Sequence, residues 1–166
     1  MNLRSPHALI ALAASAFAVT GVAGTAFADD HHGVPRVVDS WAAAWNGTDP
    51  AALGRVFTAN GTYTDEAVGV TFSGPQQISG WKTKTDRLIS DAHVTILNVF
   101  KDGRHITIES TYAGHIKGAP KAFSVQMATV LGGVGGNRAT SDKDYYNLAA
   151  VLSQSGLPSG WTPPVG

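Results

Sequence analysis

Tyr63 and Asp65 are the residues of this sequence whose types and spacing best suit acid–base chemistry. They lie two positions apart in a segment rich in Thr and Tyr, which favours a β-strand, so both side chains point to one face. Aromatic neighbours would desolvate the Asp65 carboxylate and raise its pKa toward the range useful for a general base. His115 ends a later β-rich segment and titrates near neutrality, which suits an acid or a proton shuttle. The sequence therefore predicts Asp65, Tyr63 and His115 as catalytic residues.

Each of these residues also has a purely structural interpretation. Asp65 could end a strand, where it would be solvated by the following loop or would cap local N–H groups, and His115 could lie on the surface beside a turn. Glu109 has the same strand parity as His115, and we favour the interpretation in which Glu109 points into solvent. Asp144 and Tyr145 are interpreted as capping and packing residues at the start of a C-terminal helix.

Helical periodicity dominates the first part of the chain after residue 33. Apolar residues recur at helical spacing over residues 34–45, and Asp49 followed by Pro is typical of the start of a second helix. A short strand at residues 62–65, with a hairpin partner within residues 68–72, is expected next. A third helix is predicted over residues 76–89.

From residue 92 the apolar period changes from about 3.6 to 2, which indicates strands. Strands are predicted over residues 94–100, 105–115 and 122–131, with a last short strand over 137–141. Ser141, with Asp144 three residues later, resembles a capping box and predicts a final helix from there. Segregated helices and hairpins indicate an α+β fold.

A strongly curved antiparallel sheet wrapped around three N-terminal helices, with a C-terminal helix, leaves a conical pocket that suits a small ligand. Large apolar and aromatic side chains on these elements can serve as core residues and ligand contacts at once. The predicted ligand-binding residues are Trp41, Trp45, Phe72, Trp81, Tyr112, Met127 and Tyr146.

The first 28 residues have the three parts of a secretory signal peptide. Arg4 is followed by an apolar run over residues 8–22 and by small residues that end in Ala26-Phe27-Ala28. The apolar run is shorter than the ~20 residues that a membrane-spanning helix needs. We therefore expect a secreted protein with a signal peptide at 1–28, a polar tail at 29–33, one domain at 34–157 and a Pro-rich flexible tail at 158–166.

Composition excludes several classes of protein. The chain has no Cys, so disulfides and thiolate metal sites are excluded. The 12 basic residues equal the 12 acidic ones, and no basic stretch stands out, which argues against nucleic acid and anionic membranes as partners.

If cleavage follows Ala28, the new start Asp29-Asp30-His31 could wrap Cu²⁺ or Ni²⁺ in a square plane; the alternative is a disordered polar tail.

Three segments carry a resemblance to a known family. They run from Trp41 to Phe57, from Tyr63 to the helix start near Gly74, and from Asp144 to Gly156. In order and spacing the chain resembles the SnoaL-like polyketide cyclase branch of the nuclear transport factor 2-like superfamily. The resemblance implies a cone-shaped α+β fold over about residues 34–157, and a fold of this kind hosts many unrelated activities.

The resemblance also has implications for chemistry. The segment around Asp65 is similar to the ketosteroid isomerase segment that holds the general base, and His115 looks like the His of the cyclases. Trp41, and Ala128 or one of its neighbours, stand where the isomerase has its two enolate-stabilising groups, so isomerase chemistry in that form is not expected. The family implies a cofactor-free acid–base enzyme (cyclase, isomerase or lyase) acting on a hydrophobic carbonyl compound. The alternative is a non-catalytic, secreted binding or dimerisation module, and a homodimer is expected.

Overall fold

The structure, a computed structural model, describes residues 34–162. The predicted signal peptide and the Asp29-Asp30-His31 metal site lie outside these residues. The helices are α1 (Arg36–Asn46), α2 (Pro50–Arg55), α3 (Gly74–Leu88) and α4 (Leu148–Ser155). The strands are β1 (Phe57–Asp65), β2 (Val70–Ser73), β3 (Ile89–Asp102), β4 (His105–Ile116), β5 (Phe123–Gly132) and β6 (Ala139–Tyr146).

The strands form one curved sheet in the order β2-β1-β6-β5-β4-β3. Neighbouring strands are antiparallel except for β1 and β6, which run parallel and bring Asp65 opposite Asp144. The long hairpin of β3 and β4 contains two register shifts, each caused by one extra residue in β3. One lies between Ser90 and His93, and the other lies between Ile96 and Asn98. β4 keeps an uninterrupted alternation of side chains, so its inner and outer faces follow directly from the sequence.

Local sequence explains where the helices begin and end. The Asp49 side chain accepts the N–H of Ala51 at 3.0 Å and caps α2, and Asn147 caps α4 through the N–H of Ala150 at 3.0 Å. Gly156 ends α4 with a φ of +74°, a left-handed conformation that glycine adopts without strain.

The core lies between the helices and the concave face of the sheet. α1 buries Val37, Val38, Trp41 and Trp45 on one side, as the helical spacing predicts. The strands contribute Tyr63, Ile106, Ile108 and Leu131, all at most 1% exposed. Glu109 points outward, as expected from its parity. Within residues 34–162, no helix is long and apolar enough to cross a bilayer.

The predicted α+β fold is confirmed, with corrections at two places. The first strand is longer than the predicted residues 62–65, because β1 begins at Phe57; Asn60-Gly61 lies within this strand, where the pairing with β6 shifts register. The predicted capping box at Ser141 is wrong, because β6 continues to Tyr146. Pairing with β1 and β5 on both sides stabilises this polar segment as a strand, and the helix starts only after Asn147.

Candidate functional site

A cavity of about 790 Å³ lies within the domain, bounded by side chains of the sheet, of α1, α3 and α4, and of the segment after α4. Its walls are mainly apolar and aromatic, which suits a small organic ligand. The aromatic residues that line it are Trp45, Tyr63, Trp81, Tyr112, Phe123, Tyr146 and Trp161.

Asp65 provides a carboxylate in the cavity wall. It ends β1 on the inner face, two residues after Tyr63, and is only 4% exposed. Its Oδ2 accepts the Tyr146 hydroxyl at 2.9 Å, and its Oδ1 accepts the N–H of Val68 at 2.9 Å. Burial raises the pKa of Asp65, although these hydrogen bonds oppose the shift. A carboxylate whose pKa lies closer to neutrality can exchange a proton with a bound molecule.

Asp144 provides a second carboxyl group that lines the cavity. It lies beside Asp65 on the neighbouring strand and accepts the Tyr63 hydroxyl at 2.8 Å and the hydroxyl of Thr129. Burial raises the pKa of Asp144 to about 7, against the effect of these donors. Asp144 therefore titrates in the range where general acids and bases are effective.

Asp142 lies behind Asp144 on the same face of β6 and is fully buried. Its Oδ2 accepts the indole N–H of Trp41 at 2.9 Å, and its Oδ1 has no donor partner among the described residues. Burial, and next to it the charge of Asp144, raise the pKa of Asp142 well above its usual value. A proton on this unpaired oxygen keeps the buried Asp142 carboxyl group neutral, which agrees with its raised pKa.

Tyr112 offers a hydroxyl group to the cavity. Its ring makes edge contacts with Phe123 at 5.1 Å and with Tyr146 at 5.5 Å between centroids. Burial raises its pKa, so the phenol stays protonated at neutral pH. Among residues 34–162, no group forms a hydrogen bond with this hydroxyl, which leaves it able to donate to a ligand oxygen.

Most residues that the sequence singled out surround the cavity. Tyr63 and Asp65 line it side by side, although their catalytic role stays a prediction. The predicted ligand-binding residues that line it are Trp45, Trp81, Tyr112, Met127 and Tyr146.

Three of the predicted residues do not line the cavity. His115 faces the side of β4 opposite to Tyr112, and its Nε2 is hydrogen-bonded to the carbonyl oxygen of Ala119 at 2.8 Å, so its expected place in the pocket is wrong. Trp41 is fully buried in the core, where its indole N–H donates a hydrogen bond to Asp142. Phe72 stacks on Trp81 at 5.0 Å and supports the wall without forming it.

Sequence reasoning missed the roles of Asp142 and Asp144. Asp144 was assigned to the start of a helix and Asp142 was not singled out. In β6 these two side chains alternate with exposed ones, but all the residues concerned are polar or aromatic, so the apolar–polar alternation that signals a strand is absent. Sequence reasoning also assigned Trp161 to the flexible tail; Trp161 is half-buried and lines the cavity. No cluster of three or more metal-ligating side chains is found within residues 34–162.

Comparison with known proteins shows two kinds of similarity. A family described as SnoaL-like domain matches residues 38–136. A hypothetical protein with a ketosteroid isomerase-like fold from Catenulispora acidiphila, crystallised in complex with trimethylamine, is 56% identical over 79% of this chain and 100% of its own, with a TM-score of 0.77. No curated protein matches the chain.

Two more distant structures share the fold. A putative SnoaL-like polyketide cyclase from Shewanella denitrificans is 13% identical over 72% of this chain and 93% of its own, with a TM-score of 0.61. An epoxide hydrolase from M. tuberculosis is 18% identical over 72% of this chain and 86% of its own, with a TM-score of 0.60. At such identities the similarity establishes the fold and not the activity.

Proposed function

Because the chain belongs to the SnoaL-like domain family, we propose that its cavity binds a small hydrophobic compound and that Asp65 exchanges a proton with it. The observation that carries the proposal is the buried Asp65 carboxylate in the cavity wall, held by Tyr146 and the Val68 N–H. The proposed activity is cofactor-independent isomerisation, cyclisation or elimination of a carbonyl compound.

The chemistry of such a step can be assigned to individual atoms. Asp65 removes a proton from the carbon next to the carbonyl group, and negative charge then develops on the carbonyl oxygen. The Tyr112 hydroxyl is one donor available to that oxygen, since the Tyr63 and Tyr146 hydroxyls are hydrogen-bonded to carboxylates. The indole N–H of Trp45, which has no partner among the described residues, is another. Removing one such donor typically lowers kcat by about 10²–10³-fold in enzymes that rely on it.

The test separates binding from turnover. A panel of aromatic and polyketide-like carbonyl compounds is first screened for quenching of Trp fluorescence, and bound compounds are then assayed for product and for exchange of the α-proton with deuterium. Asp65→Asn is expected to abolish exchange while binding is kept, and Tyr112→Phe to slow it. Tyr145→Phe is the matched control, because Tyr145 is on the outer face of β6 and 44% exposed. Binding without exchange in the wild type would refute the enzyme hypothesis.

A second function, non-catalytic binding of a small amine, is favoured by a separate observation. The buried part of the cavity wall combines aromatic rings with the carboxyl groups of Asp65 and Asp144, and a cation against an aromatic face gains about 0.5–2 kcal/mol. The Catenulispora acidiphila relative was crystallised with trimethylamine, which is protonated at neutral pH. Here Asp65→Asn should weaken binding of trimethylammonium itself, in contrast to the enzyme hypothesis.

We also propose export and self-association. The signal sequence at residues 1–28 predicts secretion, and N-terminal sequencing of the secreted protein checks both the cut and the start at Asp29 that the copper or nickel site requires. The outer sheet face carries a shallow depression lined by Glu109, Ala128 and the exposed Tyr145, which suits pairing of two copies. Light scattering tests this, and a monomer at high concentration would contradict it.

A further inference from the structure

The cavity wall separates negative from positive side chains. Asp65 and Asp144 are 4% and 2% exposed and belong to the buried part of the cavity wall. Lys84, Arg87 and Lys117 also line the cavity, but they are exposed to solvent and therefore lie where it opens. The cavity thus has an acidic aromatic end and a basic mouth.

The basic mouth is built from two neighbouring elements. Lys84 and Arg87 lie in the last part of α3, and the backbone N–H of Lys117, just after β4, donates to the carbonyl oxygen of Leu88 at 2.9 Å. The one carboxylate of this helix segment, Asp86, is hydrogen-bonded to another residue, the buried Lys82, at 2.5 Å. Over residues 34–162 neither Lys84 nor Arg87 forms an ion pair, so both charges are available to an anionic group at the mouth.

The cavity is large enough for its acidic end and its basic mouth to lie well apart. Its volume of about 790 Å³ is at the upper part of the range for drug-sized ligands, so a simple alkylammonium ion fills only a small part of it. Tyr112, beside the carboxylate end, and Ile116, next to Lys117, both line it and are four positions apart in β4, which corresponds to about 13 Å along an extended strand. The wall between them is apolar and includes Leu88, Ile89 and Ile116.

We propose that the ligand of this cavity is bipolar, with an ammonium head at the aromatic, acidic end, an apolar spacer, and an anionic group bound by Lys84 and Arg87 at the mouth. This inference rests on the second function proposed above, the binding of an amine. The competing interpretation is that both basic residues only complement the dipole at the C-terminal end of α3. A ligand-dependent measurement distinguishes the two, because a dipole contact does not respond to the ligand's tail.

Four probe ligands test the head and the tail independently. All share one long alkyl spacer; the head is either trimethylammonium or the uncharged tert-butyl group of the same shape, and the tail is either carboxylate or primary amide. Isothermal titration calorimetry on the full secreted chain gives each dissociation constant. The carboxylate tail is expected to bind at least about threefold more tightly than the amide, as two partly exposed ion pairs would produce, and less so at high salt.

Paired variants locate the effect. Lys84→Gln with Arg87→Gln should remove the preference for carboxylate over amide and leave the preference for trimethylammonium over tert-butyl. The control, Lys101→Gln with Arg138→Gln, removes the same charge from exposed positions outside the cavity and should keep both preferences.

The outcomes separate the two hypotheses. Equal binding of carboxylate and amide tails, or a carboxylate preference that survives in the Lys84 and Arg87 variant, overturns the bipolar ligand and leaves amine binding intact. Equal binding of trimethylammonium and tert-butyl heads overturns amine binding, whatever the tail does. Absence of binding by all four ligands overturns both.

Discussion

Replacing Asp142 with Asn tests the buried carboxyl pair without requiring any ligand. Asp142 and Asp144 keep protons in the folded state at a pH where the unfolded chain, with pKa values near 3.9, has lost them. The folded state then binds more protons, so the free energy of unfolding decreases as the pH rises. The sign is opposite to that of a carboxylate stabilised by a salt bridge.

The size of the effect follows from the number of protons retained. Each proton that the folded state keeps and the unfolded state loses lowers the free energy of unfolding by about 1.4 kcal/mol for every pH unit of increase. Between pH 5 and pH 7 this amounts to about 3 kcal/mol. For Asp144 the decrease should level off near its pKa of about 7. Asn at position 142 keeps an acceptor for the Trp41 indole N–H and offers an amide N–H to Asp144, so the variant retains the local hydrogen bonds while it removes one titrating group.

Urea unfolding at a series of pH values provides the measurement. From pH 5 to pH 7 the free energy of unfolding of Asp142→Asn should decrease by about 3 kcal/mol less than that of the wild type. Asp102→Asn, at an exposed position at the end of β3, is the control: its free energy of unfolding should change with pH as that of the wild type does. A wild-type stability that is constant or increases over this range would refute the retention of protons by Asp142 and Asp144, and so would an Asp142→Asn curve parallel to the wild type.

Two further substitutions test the hydrogen bonds around the carboxyl groups. Tyr146→Phe removes a hydrogen-bond donor to ionised Asp65, so the pKa of Asp65 should rise further above its usual value. Carboxyl ¹³C chemical shifts over a pH titration measure this pKa. Tyr145→Phe is the control and should leave the pKa of Asp65 unchanged. Trp41→Phe removes the donor to buried Asp142 and should lower the free energy of unfolding by about 1–3 kcal/mol in chemical denaturation, more at high pH than at low pH; a loss independent of pH would indicate that only packing was affected.

The local features of the fold could be predicted from the sequence because they depend on neighbours along the chain. Apolar spacing in residues 34–45 predicted the buried side of α1, and Asp49 before Pro predicted the cap of α2. The strict alternation over β4 predicted that Glu109 faces outward. The same alternation placed Tyr112 and His115 on opposite faces, so the inclusion of both in one pocket contradicted the pattern itself.

The boundary between β6 and α4 shows where local reasoning fails. Ser141 and Asp144 have the spacing of a capping box, a signal that depends on only four residues. In the folded chain this segment is hydrogen-bonded to β1 on one side and β5 on the other, and these pairings outweigh a weak local preference for helix. Long-range strand pairing is encoded by the whole sheet and is not visible within a short window.

By itself the sequence determined that Tyr63 and Asp65 share a face, because strand geometry fixes the relative direction of side chains two residues apart. Only the tertiary structure decided what that face meets. Parallel pairing of β1 with β6 sets the Tyr63 hydroxyl on Asp144 and the Tyr146 hydroxyl on Asp65, each across 81 positions of sequence. The carboxyl groups acquire their raised pKa values from this burial, and burial is a property of the assembled core that no single segment possesses.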